Sequence, residues 1–282
     1  MDRNLSIINN FQKKDYNSYP FPYFTIDKPY DDKIYSQLEK DYNLFVSYFQ
    51  KKEDFKKSNI RLQISSVEFF ESNLFKNSIW YDFISYHSSK EFFLKIVDIF
   101  YDDIQKIYPS VMNLINENKN KQNFIGLRNK EKNDNFFFVS DCQPGINTPV
   151  TDRSTVRDSH IDNPVELIAG LFYLRFPNDN SIGGDLEIME NIKKKEIKFH
   201  NKAEVYNKND LSVFKKIKYK KNNVIFFLNT INSIHRISPR ENGLIPRNLT
   251  NIIFETYYIK EKLFKINYKK NFFKTLKNKF RF

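Results

Sequence analysis

Hydrophobic and polar positions follow two different rhythms along this chain. From Asp31 to about residue 50 the apolar residues Ile34, Leu38, Tyr42 and Phe45 keep the spacing of one helix face, and Asp31 or Asp32 stands where an N-cap belongs. A second helical stretch follows Ser88-Ser89-Lys90-Glu91, which has the form of a capping box. Phe92, Ile96, Phe100 and Ile104 then step at i+4, and Pro109 is expected to end the helix. After Phe136 the rhythm shortens. The runs "NFFFVS", "ELIAGLFYLRF", "GGDLEIM", "NNVIFFLNT", "SIHRIS" and "RNLTNIIFETYY" alternate with turn signals and predict strands. "YPFPYFTIDKPY" (19–30) reads as an extended entry with a short strand at Tyr23–Ile26, and 115–135 as a polar, mobile connection. The expected organisation is an irregular segment (1–19), one domain (20–259) with helical support to about 135 and a strand-rich core after it, and a tail (260–282).

Composition narrows the class. Among 282 residues, 40% hydrophobic and 17% aromatic content supplies a sizeable core and argues against global disorder. The single cysteine, Cys142, excludes an intrachain disulfide and fits a reducing compartment. The polar start lacks the apolar stretch of a signal peptide, and no window approaches the ~18 apolar residues of a membrane span. The chain therefore reads as soluble and cytoplasmic. Of the formal net charge of +12, residues 260–282 carry +8, nine Lys or Arg against one Glu. Phe264, Tyr268, Phe272, Leu276 and Phe280 recur there every four residues. Such a helix either packs its apolar side on its own domain or contacts a polyanion: RNA, an anionic membrane surface or an acidic glycan.

The candidate chemistry begins at "RDSHIDNP" (157–164). On an extended backbone His160 and Asp162 point to the same face, where an imidazole and a carboxylate can grip one ion. Two His and one carboxylate with open positions suit non-haem Fe(II). Of the other histidines, His87 reads as a helix-entry residue and His200 lies in the lysine-rich "KKKEIKFHNKAE". His235 follows the strand "NNVIFFLNT" and is the best third ligand.

Along the chain stand His160-Ile161-Asp162, Tyr173 in "GLFYLRF", "GGDLEI" from Gly183, then His235 and Arg247. In this order and spacing the sequence resembles the prolyl-hydroxylase-like 2-oxoglutarate- and Fe(II)-dependent oxygenases. "NNVIFFLNTINSIHRISPRENGLIPRNLTNIIFE" resembles the closing half of their core and "PFPYFTIDKPY" the entry to their first helix, so the likeness covers most of 20–258. It implies a mainly β (α+β) fold: a double-stranded β-helix, a jelly-roll, cupin-like core, supported by N-terminal α-helices. It also implies Fe(II) held by His160, Asp162 and His235, with O2 at an open position. 2-Oxoglutarate would chelate the metal, its far carboxylate on Arg247, and hydroxylation would release succinate and CO2.

Individual side chains bear on these roles. Arg247 opens an apolar strand, which suits a buried fork for a carboxylate; Arg240, nearer His235 but in the turn-like "SPRENG", is the competing anchor. Tyr173 shares a strand face with Leu167, Ala169, Leu171 and Arg175, as a co-substrate partner or as a core aromatic. Arg157 reaches toward the substrates or forms a surface ion pair, Arg236 is expected on the opposite strand face from His235, and Asn251 lines the pocket. The rival readings are a non-catalytic cupin-like barrel binding a ligand or glycan, a zinc hydrolase, and an oxidative nucleic-acid demethylase using the basic tail. The substrate stays open among small molecules, glycans and protein side chains.

Overall fold

The computed structural model describes residues 3–200, 203–258, 263–266 and 268. Its first half is helical. The expected helix is α1 (Asp32–Gln50), capped where Asp31 accepts from the Ile34 amide. Two helices not foreseen follow, α2 (Ser66–Glu71) and α3 (Ile79–His87). The second expected helix is divided at Phe100 into α4 (Lys90–Ile99) and α5 (Tyr101–Ile107). Its cap is Ser89, which accepts from Phe92, rather than Ser88. Glu91 pairs with Lys95 and Arg3 instead of closing a capping box. Pro109 does not simply stop the chain's helical course: it opens α6 (Pro109–Asn118), where its missing N–H costs nothing. His87 correspondingly ends a helix rather than entering one. The connection 115–135 is shorter than expected, since α6 runs to Asn118 and a strand appears at Ile125–Leu127.

The strands in chain order are β1 (Tyr16–Asn17), β2 (Tyr23–Asp27), β3 (Arg61–Gln63), β4 (Ile125–Leu127), β5 (Phe138–Asn147), β6 (Glu166–Tyr173), β7 (Leu186–Asn191), β8 (Leu211–Ile217), β9 (Asn223–Leu228), β10 (His235–Ile237) and β11 (Arg247–Glu255). They form an eight-stranded sheet ordered β1-β2-β9-β6-β11-β5-β3, with β4 parallel beside β5, and a three-stranded sheet ordered β10-β7-β8. Residue 160 bridges His235, which adds a fourth extended segment to the smaller sheet. Four central strands (β9-β6-β11-β5) facing four segments (160, β10, β7, β8) with these connections make the double-stranded β-helix.

Period-two alternation sorts the side chains of the large sheet into two cores. Ile168, Phe172, Val224, Phe226, Ile252 and Phe254 join the helices in the larger one. Ala169, Leu171, Tyr173, Ile225, Phe227 and Ile253 face the small sheet across the barrel lumen. A register shift at Phe254/Glu255 breaks the alternation at the end of β6, so Leu167 joins the helical side rather than sharing the face of Tyr173. Gly170 is crossed by the Phe226 ring, which a Cβ would meet at 2.2 Å. α1 is tied to the barrel by Tyr42, whose hydroxyl accepts from the Gly145 amide (3.0 Å) and donates to the Leu249 carbonyl (2.5 Å). Leu5 and Ile7 near the N-terminus are buried in the helical core.

Among the described residues no helix is long and apolar enough to cross a membrane. Of the expected tail helix, residues 263–266 and 268 are described and are not helical. The Leu263 amide donates to the Pro164 carbonyl, and Phe264 packs against the cores. The remainder of the tail, with Phe272, Leu276 and Phe280, lies outside the described residues.

Candidate metal centre

Two backbone hydrogen bonds between His160 and His235, both 3.0 Å, clamp the N-terminal edge of the site to β10. They bring the two imidazoles to a centroid separation of 4.2 Å. Each ring is then oriented by a carbonyl: His160 Nδ1 lies 2.6 Å from the Asp158 oxygen, and His235 Nδ1 lies 2.9 Å from that of Ser233. A carbonyl only accepts, so Nδ1 must carry the proton and Nε2 the free lone pair. Both Nε2 atoms face Asp162, 3.6 Å from Oδ1 for His160 and 3.7 Å from Oδ2 for His235. One donor atom from each of the three buried residues lies within 4.8 Å of the others, so His160, Asp162 and His235 could together hold a metal ion.

The protonation states suit that role. Burial, then the neighbouring His235, pulls His160 down to about 3. Burial likewise lowers His235, against the opposing pull of Asp162. Burial alone would raise Asp162, but His235, His160 and Arg157 overcome it and hold its carboxyl far below the usual carboxylate range. Near neutrality the group is two neutral imidazoles and one carboxylate, the deprotonated state that a cation requires. Arg157 donates to Asp162 Oδ1 at 3.0 Å. His200 is elsewhere, paired through its backbone with Glu204, and exposed. Arg236 leaves on the opposite face and meets Glu187 at 2.6 Å.

A cavity of about 170 Å³ opens from the three donors into the barrel. One wall is apolar, from Ala169, Leu171, Phe227, Leu186 and Ile237; the other carries Arg61, Gln63, Gln143 and Asn251. Asn251 is among its lining residues, as is Arg157, which is at the same time ion-paired with Asp162. Arg247 and Tyr173 lie just beyond that lining. The Arg247 guanidinium sits 4.9 Å from the Tyr173 ring centre and 5.1 Å from that of Tyr219. It donates to the Gly184 carbonyl at 2.8 Å and to Asn147 Oδ1 at 2.9 Å. Among the described residues its remaining terminal nitrogen, the Tyr173 hydroxyl and Asn147 Nδ2 are buried without a hydrogen-bond partner. Such a convergence of unmatched donors beside a cavity fits a carboxylate. Arg240 differs. Both its terminal nitrogens are engaged, by Asn59 Oδ1 and the carbonyls of Thr148 and Ile245, and only its Nε is unmatched among the described residues.

Several lining residues were not singled out from the sequence. Arg61 and Gln63 sit on the shortest strand facing the lumen, and only the alternation in "IRLQIS" signals it. Gln143 and Asn147 belong to β5, which extends well past the expected "NFFFVS". Arg128 falls in the supposed polar connection, yet it pairs with Asp141 and Glu255 at 3.0 Å each. Glu166 also lines the cavity; burial, then Asp162 and Glu255, pushes its carboxyl well up.

No family model and no curated protein matches this sequence. Solved structures do. A prolyl 4-hydroxylase from Phytophthora capsici is 11% identical, with a TM-score of 0.44, over 84% of this chain and 59% of its own. The viral collagen prolyl hydroxylase of Paramecium Bursaria Chlorella virus-1, solved as a 2-oxoglutarate complex, is 14% identical with a TM-score of 0.33, over 83% and 95%. HygX from Streptomyces hygroscopicus, solved with nickel and 2-oxoglutarate, is 10% identical with a TM-score of 0.37, over 84% and 83%. This chain thus spans less than two thirds of the Phytophthora protein's length.

Proposed function

We propose that this chain is an Fe(II)- and 2-oxoglutarate-dependent oxygenase that hydroxylates its substrate. The observation that carries the reading is the donor group: His160 and His235 held rigidly by each other's backbone, with both Nε2 atoms turned on the ionised Asp162. Three protein donors in the lining of a cavity leave coordination positions open on the cavity side. Iron bound there would supply the redox chemistry by which O2 and 2-oxoglutarate yield succinate and CO2 while a substrate C–H becomes C–OH. The protein's own part is positional. The carbonyls of Asp158 and Ser233 fix the imidazoles, and Arg157 steadies the Asp162 carboxylate. Arg247, with Tyr173, offers the charge and unmatched donors for the far carboxylate of 2-oxoglutarate. The apolar wall keeps water from that end.

The test is succinate formation from 2-oxoglutarate with Fe(II), with Zn(II) as the comparison metal. Turnover should appear with iron alone and vanish in His160→Ala, Asp162→Ala and His235→Ala, while His200→Ala retains it. Metal binding without any 2-oxoglutarate affinity would instead make this a non-catalytic barrel.

A further inference from the structure

The Arg61 guanidinium lines the cavity, and among the described residues it has no hydrogen bond and no ion pair. Among the arginines lining the cavity this sets it apart. Arg157 is paired with Asp162, and Arg128 is held by Asp141 and Glu255. Register places Arg61 in one row with Asn147 and Arg247: Arg61 pairs with Asn147 across β3–β5, and Asn147 with Arg247 across β5–β11. Two arginines thus project into the lumen on either side of one asparagine. Burial, then the adjacent Arg247 and Arg157 cations, pulls Arg61 down to about 10. Asp162 opposes these influences more weakly, and a permanent cation without a direct partner beside an open cavity costs free energy that a bound anion would recover.

Charge decides which anion remains unassigned. On the reading above, Asp162, shared between Arg157 and the metal, and the chelating carboxylate of 2-oxoglutarate are the anions at the metal. Arg247 is met by the far carboxylate. Nothing is left for Arg61. Its side of the cavity is also distinct. Arg61 and Gln63 lie on the sheet's edge strand, and Gln63 is exposed, so this polar wall faces the opening, whereas Arg247 is fully buried on the far side of Asn147. Gln63, Gln143 and Asn251 carry the polar wall inward toward the donors.

Resting on that assignment of the metal and co-substrate, we propose that the substrate is a small carboxylic acid whose carboxylate is gripped by Arg61. The planar fork can donate to both oxygens of a carboxylate, and Gln63 stands one pleat away as a second donor. The reacting carbon then lies between Arg61 and the metal donors, which line the same cavity.

The experiment uses the full chain loaded with Mn(II), which binds without turnover, and two titrations. The first is 2-oxoglutarate into wild type, Arg61→Gln and Arg61→Lys. The second is the set of free amino acids, each beside its carboxamide, into the same proteins with Mn(II) alone and with Mn(II) plus saturating 2-oxoglutarate. At least one acid should bind wild type at least tenfold tighter than its amide. Arg61→Gln should erase that preference, and Arg61→Lys should recover part of it. The dissociation constant for 2-oxoglutarate should stay within about threefold of wild type. Tenfold or greater weakening of 2-oxoglutarate by Arg61→Gln would make Arg61 the co-substrate anchor and overturn the proposal. So would a panel in which no acid is preferred over its amide. Wild type that binds no 2-oxoglutarate would sink the oxygenase reading instead, and the Mn(II)-only titration would still decide the role of Arg61.

Discussion

Arg247 and Arg240 are both buried cations, and their partners separate them. Arg247 keeps a terminal nitrogen unmatched beside the Tyr173 hydroxyl, whereas Arg240 leaves only its Nε unmatched and spends both terminal nitrogens tying Asn59, Thr148 and Ile245 together. Removing one partner of a buried carboxylate–Arg pair costs ~3–5 kcal/mol, or about two to three orders of magnitude in affinity. Arg247→Ala should therefore weaken 2-oxoglutarate binding to the Mn(II) protein by about a hundredfold or more, and Arg247→Lys by less, because the fork is lost but the charge stays. Arg240→Ala should do the opposite. It should leave that affinity within a few-fold and lower unfolding free energy by about 2–4 kcal/mol, since several buried acceptors lose their donor. Titration calorimetry and denaturant unfolding on both variants separate the roles. At this scale the sequence was informative where chemistry is rare. Four histidines left few choices of ligand, and an arginine opening an apolar run is conspicuous. Arg61 was hidden because a lone arginine on a short strand looks like any surface cation until its neighbours across β5 are known.

Strands were legible as elements because each central one is a short apolar run, buried on both faces and bounded by turn residues, but their partners and ends were not. β8 escaped notice because its solvent-facing half, with Lys215 and Lys216, reads as a lysine-rich loop. α3 escaped because "IWYDFISYH" is apolar nearly all round, as befits a helix packed between α1 and the sheet. The turn before β7 was visible as "GG", and the structure shows why glycine stands there. Gly183 and Gly184 adopt φ of +87° and +80°, and a Cβ would come within 1.9 Å of the Pro239 carbonyl at the first and 2.9 Å of Arg247 Cδ at the second. The two substitutions should thus fail differently. Gly183→Ala meets rigid backbone and should lose the ~1–2 kcal/mol of the left-handed conformation and more, measured by denaturant unfolding. Gly184→Ala pushes on a side chain that can yield. It should displace the Arg247 guanidinium and weaken 2-oxoglutarate binding beyond what its loss of stability explains.

The helical layer carries the barrel, and one buried histidine couples that layer to the start of the chain. His87 sits at the end of α3 among the rings of Phe83, Tyr86 and Phe92. Its Nδ1 donates to the Phe83 carbonyl at 2.7 Å, which leaves Nε2 to accept from the Ile7 amide at 3.1 Å. Both nitrogens are committed in the neutral form, and a second proton would break the tie to Ile7. Burial accordingly pulls His87 down to about 3. The ordinary value is ~6.5, so between those limits the unfolded chain takes up a proton that the folded chain refuses. Unfolding free energy should therefore be fully present above pH ~6.5 and fall by up to ~1.4 kcal/mol for each unit below it. His160 and His235 are lowered in the same sense and add to the slope in the metal-free protein. The share due to His87 is isolated by His87→Gln, which does not titrate. Wild type should be the more stable near pH 7, and the gap should close steadily as the pH is taken to 5 in paired denaturant melts of the metal-free proteins. A gap that stays constant across that range would mean that His87 is protonated in the folded state, and that the N-terminal segment is not held through its neutral Nε2.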